Sequence, residues 1–194
     1  MGHTRDDAYA LLCEYTKSDN LRRHMLAVEA AMRAYARRFG EDEEKWAIAG
    51  LLHDFDYETF PEAPAHPVEG ERILAERGWP EDIRRAVLSH AAEHTGVDRE
   101  SRMEKALHAC DDITGFVVAV ALVRPEKDIA GVKVSSMRKK WKDRSFAAGV
   151  DRDEVERAAA ELEVPLEEHF EAVLAAMKAV APVLGLGEVP REEA

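Results

Sequence analysis

A chain of 194 residues, 46% hydrophobic and 34% charged, has the make-up of a soluble globular protein with one sizeable core. Its formal net charge of −12 excludes a surface built wholesale for nucleic acid or anionic membrane. Cys13 and Cys110 stand far apart without CxxC spacing, which excludes a disulfide framework and a thiolate zinc site.

The opening residues MGHTRDDAYALLCEY lack the basic-then-apolar order of a secretory signal, so reduced thiols and a cytoplasmic location are expected. Ser18 or Asp19 caps a predicted helix that runs to about Phe39 and ends at Gly40. A second helix covers 43–53 behind Asp42, followed by a loop rich in proline and acidic residues, DYETFPEAPA. Pro67 opens a helix to about Arg77, and Pro80 opens another expected to continue to Gly96. A long helix is predicted from about Ser101 to Val123, stopped by Pro125. Its apolar run, Ile113 to Val123, is 11 residues and too short to span a bilayer. Helices near 151–162 and 165–184 and a polar tail at 187–194 complete the chain. No segment alternates with period two, and no Gly-rich phosphate loop is present. The expectation is an all-α, single-domain protein, with a helical core over about 19–124 and an extension over about 125–186.

Several polar residues fall on arcs meant for the core. His24 lies at helical spacing with Val28, Ala31 and Tyr35, and His90 follows Ile83 and Val87. Asp111 shares its arc with Leu107, Thr114, Val118 and Leu122, whereas Asp112 lines up with His108, Gly115 and Ala119. His53 and Asp54 end the apolar run WAIAGLL side by side. A buried imidazole is commonly just a hydrogen-bonded core residue, and a His–Asp pair can be a plain helix end. Together, however, His24, His53, Asp54, His90 and Asp111 come from four helices. Facing helices of a bundle assemble metal sites in this way.

The order of a histidine, an adjacent His-Asp and a later Asp resembles the HD superfamily of metal-dependent phosphohydrolases, an all-α fold. The segments HPVEGERIL and AVLSHAAEHTG resemble the extra-histidine segments of its dinuclear branch. The resemblance spans roughly 20–124 and is similar to the subgroup that includes bacterial dinucleoside-tetraphosphate hydrolases. It implies His24, His53, Asp54, His66, His90 and Asp111 as metal ligands, with Asp54 bridging two ions. No GYP motif follows, which disfavours a cyclic-di-GMP phosphodiesterase. Tyr57 stands where the HDxxED motif of guanosine-tetraphosphate hydrolases has Glu.

Four imidazoles and two carboxylates suit Mn, Fe, Co, Ni or Zn better than Mg or Ca. Two such ions activate water and neutralise phosphate oxygens in an in-line displacement, so Asp54 is the central catalytic candidate. Glu58, Asp56 and His94 are the candidate proton carriers. His108 is expected to point off the site, and His3 and His169 to lie on the surface. The segment 133–144 carries six Lys/Arg and one Asp. Lys133, Arg138, Lys139, Lys140 and Lys142 could therefore draw in a phosphate-bearing substrate, with Trp141 stacking on a base. The alternative is a solvated face with Trp141 tucked inward. Helix 165–184 is expected to pack on the core or to pair two copies in a homodimer. The leading expectation is a phosphohydrolase for a nucleotide or other small phosphorylated substrate, without membrane or bulk nucleic-acid partners. A dinuclear-iron oxygenase and a metal- or nucleotide-responsive binding protein are the alternatives.

Overall fold

A computed structural model describes residues 2–187 of the chain. These residues form ten α-helices and no strand, so the described part is all-α. No helix among them is long and apolar enough to cross a membrane.

Two 21-residue helices frame the bundle. The first, α2 (Asp19–Phe39), starts where the Ser18 hydroxyl accepts from the Leu21 amide and stops at Gly40, whose φ of 70° suits glycine. The second, α7 (Arg102–Leu122), opens on a reciprocal capping box between Ser101 and Glu104. Between them run α3 (Glu43–Leu52), α4 (Ala65–Glu76), α5 (Glu81–Ser89) and the single turn α6 (Ala92–Thr95). The α2 face carrying Met25, Val28, Met32 and Tyr35 is buried and packs against α3 and α7. Fully burying an aliphatic side chain of this size stabilises by roughly 1.5–3 kcal/mol relative to leaving it in water.

Three further helices close the far side: α8 (Val134–Trp141), α9 (Arg152–Glu161) and α10 (Leu166–Ala179). Helix α10 lies on α2 and α7, and α9 on α7. The helix bounds predicted for α2, α3, α7 and α9 hold to within a few residues. Three features differ. The last helix, expected over 165–184, ends at Ala179. A helix α1 (Arg5–Tyr15), capped by Thr4 and Asp7, was not foreseen. It packs against α3 and is tied to α2 where Arg5 meets the buried Glu29 carboxylate, with Arg5 Nη2 2.9 Å from Glu29 Oε2. The helix expected from Pro80 to Gly96 breaks at Ala91, whose φ and ψ are −112° and 52°.

His169 is a correction. It is fully buried, not on the surface. Its Nε2 donates to the Ala109 carbonyl at 2.8 Å and its Nδ1 accepts from the Tyr35 hydroxyl at 2.5 Å, which joins α10, α7 and α2. Burial pushes its pKa down to about 4, so the ring is neutral. His3 is half-buried and stacks on Trp79 with ring centroids 4.1 Å apart.

Candidate metal centre

The centre begins with a close helix crossing. A Cβ on Gly50 would lie 2.9 Å from the Glu29 backbone nitrogen, so only glycine lets α3 approach α2 this closely. One turn later α3 ends at His53, whose ring centroid is 5.2 Å from that of His24 on α2. From α7, Asp111 Oδ1 reaches within 3.0 Å of His24 Nε2 and 3.4 Å of His53 Nε2.

A second group forms beside the first. His66 precedes Pro67 and adopts the extended backbone (φ −83°, ψ 129°) favoured before proline. His66 Nε2 is 3.1 Å and His90 Nε2 3.2 Å from Asp54 Oδ1. The other oxygen of Asp54, Oδ2, lies 3.6 Å from His53 Nε2. One carboxylate therefore faces both triads: His24, His53 and Asp111 on one side, His66 and His90 on the other. Within each triad, including Asp54 with His66 and His90, the donor atoms lie within 4.8 Å of one another.

The outer nitrogens set the tautomers. Nδ1 of His53 donates to the Gly50 carbonyl at 2.8 Å, and Nδ1 of His90 to the Val87 carbonyl at 2.5 Å. His66 Nδ1 donates to Asp56 Oδ1 at 2.9 Å. Thr114 Oγ1 donates to the Asp111 carbonyl at 2.8 Å and lies 3.4 Å from His24 Nδ1. A carbonyl only accepts, so a neutral ring in these positions keeps its lone pair on Nε2, aimed inward. His53 Nε2 is buried without a hydrogen-bond partner among the described residues. An orphaned buried nitrogen is costly, and a cation at this point would satisfy it. Each of the two groups could hold a metal ion, and their imidazole and carboxylate donors suit a divalent ion that accepts nitrogen ligands.

Charge on the protein alone is balanced by protons. Burial lowers the pKa of His53, but the Asp54 and Asp111 carboxylates outweigh it and push the pKa up to about 9. Burial likewise opposes His66, and bonds to Asp54 and Asp56 raise it to about 9. Burial disfavours ionised Asp54 and Asp111, yet the surrounding imidazoles hold both well below the ordinary carboxylate range.

Asp54, His66, His90 and Asp111 open into a cavity of about 730 Å³. Its remaining wall includes Tyr57, Arg99, His108 and Asp112, and on the α9 side Asp151, Glu154, Arg157 and Glu161. Burial, then the Asp111 charge, push Asp112 up to about 6.

Several sequence-based assignments are corrected here. Glu58 is turned to the chain entering α2, where its Oε2 accepts from the amides of Lys17 at 2.6 Å and Ser18 at 3.0 Å. These amides hold its pKa low, and it does not line the cavity. His94 sits on α6 beyond the break at Ala91, exposed and outside the cavity wall, with Glu93 Oε1 3.8 Å away. Asp56 is fully buried and serves His66 and the Gly70 amide, so it is not placed to carry protons to solvent. His108, expected to face away, lines the cavity and lies 2.6 Å from Glu154 Oε1. Lys133, Arg138, Lys139, Lys140 and Lys142 are absent from the cavity wall. Arg138 bonds Glu167 at 3.0 Å, and Lys140 Nζ sits 4.5 Å from the Phe146 ring centroid. Trp141 is buried, with its Nε1 donating to Glu156, and cannot stack on a base. The cations on the cavity wall are instead Arg99 and Arg157, which sequence patterning did not single out.

The chain matches the HD domain family over residues 21–121, just over half its length. It belongs to the HD domain family. No match emerged from comparison with curated proteins or with solved structures. All six ligand candidates fall inside the HD match, whereas α1 and α8–α10 fall outside it. The α9 side of the cavity is therefore an addition of this chain to its HD segment.

Proposed function

We propose that this HD protein hydrolyses a phosphate ester or phosphoanhydride of a nucleotide or other small phosphorylated molecule, using two divalent ions. The observation that carries the reading is the Asp54 carboxylate, with Oδ1 toward His66 and His90 and Oδ2 toward His53. When bound, two ions at such positions supply an activated water and neutralise charge on phosphorus-bound oxygens. The chain's own residues do the rest. Asp54 fixes the two triads relative to each other. Backbone carbonyls, Asp56 and Thr114 hold the imidazoles in the ligating tautomer. Arg99 and Arg157 offer donors to an anionic group in the cavity, each next to an acid, Glu161 and Glu154.

No covalent nucleophile is called for: Cys110 is buried with its thiol pKa pushed up, and Cys13 does not line the cavity. Metal analysis of the purified chain, followed by phosphate release with Mn²⁺, Fe²⁺ and Co²⁺, tests the reading. The substrates are nucleotides, dinucleoside polyphosphates and cyclic dinucleotides. Turnover in the wild type that vanishes in Asp54→Ala is expected. A chain that binds two ions yet releases no phosphate, and consumes dioxygen with iron, would establish the oxygenase reading instead.

A further inference from the structure

A second cavity, of about 370 Å³, lies between the start of α2, the end of α7 and residues 184–186. Its body is apolar, formed by Ala27, Val118, Leu122, Leu184 and Leu186, and Leu122 remains 48% exposed there. His24 and Thr114 also line it, and it shares no lining residue with the cavity beside Asp111. Asn20 and Arg23 stand at its edge.

Arg23 is the decisive residue. Every other arginine among the described residues makes an ion pair or a hydrogen bond. Arg22 and Arg152 bond backbone carbonyls, and the rest meet acids or carbonyls. Arg23, which is exposed, has neither among the described residues, in a chain of net charge −12. Its guanidinium carbon lies 3.1 Å from where a Cβ on Gly185 would stand. Gly185, at φ 69°, thus leaves room for the guanidinium to rest on the cavity rim. A concave apolar body with a solvated fork of donors at its rim, bonded to no described side chain, matches the pattern of a small-molecule site.

We propose that this cavity binds a small amphipathic anion: an apolar body against Val118, Leu122, Leu184 and Leu186, and a single anionic head on Arg23. Charge complementarity selects this occupant over a neutral or cationic one. The site is separate from the cavity proposed for phosphate hydrolysis and stands whether or not the metal centre hydrolyses phosphates.

Titration calorimetry with octanoate, 1-octanol and octylamine tests it on the full chain. Octanoate should bind at least about tenfold more tightly than octylamine, and Arg23→Ala should weaken octanoate about tenfold while leaving octanol unchanged. That factor corresponds to loss of one charge-assisted contact. A Cβ on Gly115 meets no atom within 4 Å, so Gly115→Leu can fold while filling the cavity, and should abolish binding of both octanoate and octanol. Equal binding of octanoate and octylamine, or octanoate binding unaltered in Arg23→Ala, overturns the proposal. The acidic segment 188–194 follows Gly187 directly and is the competing occupant. If octanoate binds only a chain ending at Gly187, the tail rather than a free anion fills the site, and the proposal is wrong.

Discussion

Adding metal to the metal-free protein should expel protons in a fixed number. His53 and His66 titrate near about 9 because Asp54 and its neighbouring carboxylates stabilise their cationic forms against burial. At pH 7 both rings are about two units below that value and almost wholly protonated. A ligating imidazole must be neutral, so the proton on each ring opposes metal binding at pH 7. One of these histidines belongs to each triad. Each ion should therefore release one proton from this source, and each apparent affinity should rise about tenfold from pH 7 to pH 8, flattening above pH 9. Calorimetry with Zn²⁺ in buffers of different ionisation enthalpy reads the proton count as the slope of heat against that enthalpy. Asp54→Asn removes the charge that raises both rings and should lower the count. Heats that do not depend on the buffer at pH 7, or affinities flat between pH 7 and 8, would refute the reasoning.

Gly70→Ala would put a Cβ 2.6 Å from the Asp56 carboxyl carbon and displace the group that holds His66, so metal analysis should show one ion lost and one kept; retention of both contradicts this. His169 is depressed to about 4 in the fold against 6.5 when unfolded, so below pH 6.5 the unfolded chain takes up a proton that the folded chain refuses. Stability should fall by about 2 kcal/mol between pH 7 and 5 from this residue, and denaturant melts of His169→Gln should lack that component of the slope. Glu58→Ala should lower Tm by releasing the Lys17 and Ser18 amides that lead into α2 while metal content and turnover stay unchanged; loss of turnover with intact metals would restore its catalytic role. Replacing Lys139 and Lys140 by Glu should leave kcat/KM and its salt dependence unchanged, because neither residue lines the cavity; a reduced kcat/KM would contradict that placement.

The long helices were legible because each carries its own punctuation. Ser18 and Gly40 bracket α2, Asp42 opens α3, and Ser101 with Glu104 opens α7. Helix α1 carries a cap as well, at Thr4 and Asp7, but only Ala8, Leu11 and Leu12 are buried, too few for a periodic stripe, and its place comes from packing on α3 and the Arg5–Glu29 pair. The break at Ala91 was also hidden. Side chains engage carbonyls there: His90 Nδ1 bonds the Val87 oxygen and Thr95 Oγ1 that of Leu88. Local propensity contains no trace of that competition.

Site residues divide along the same line. Helical periodicity placed His24, His90 and Asp111 on inward arcs, whereas His169 was taken for a surface residue. Both His24 and His169 sit on helices of the bundle, the first partly and the second fully buried. What separates them is the partner: His169 meets a phenol and a carbonyl, and its two nitrogens are both satisfied. His53 instead has one nitrogen on a carbonyl and the other orphaned beside two carboxylates. A sequence shows that an imidazole faces inward; only the fold shows whether its second nitrogen has been left for something else. The cavity wall makes the complementary point, since Arg99, His108, Glu154 and Arg157 come from separate elements and no spacing within any one of them predicts their meeting. The centre was legible because its ligands are of unusual type for their arcs. Its surroundings were not, because ordinary charged residues become a binding wall only through tertiary placement.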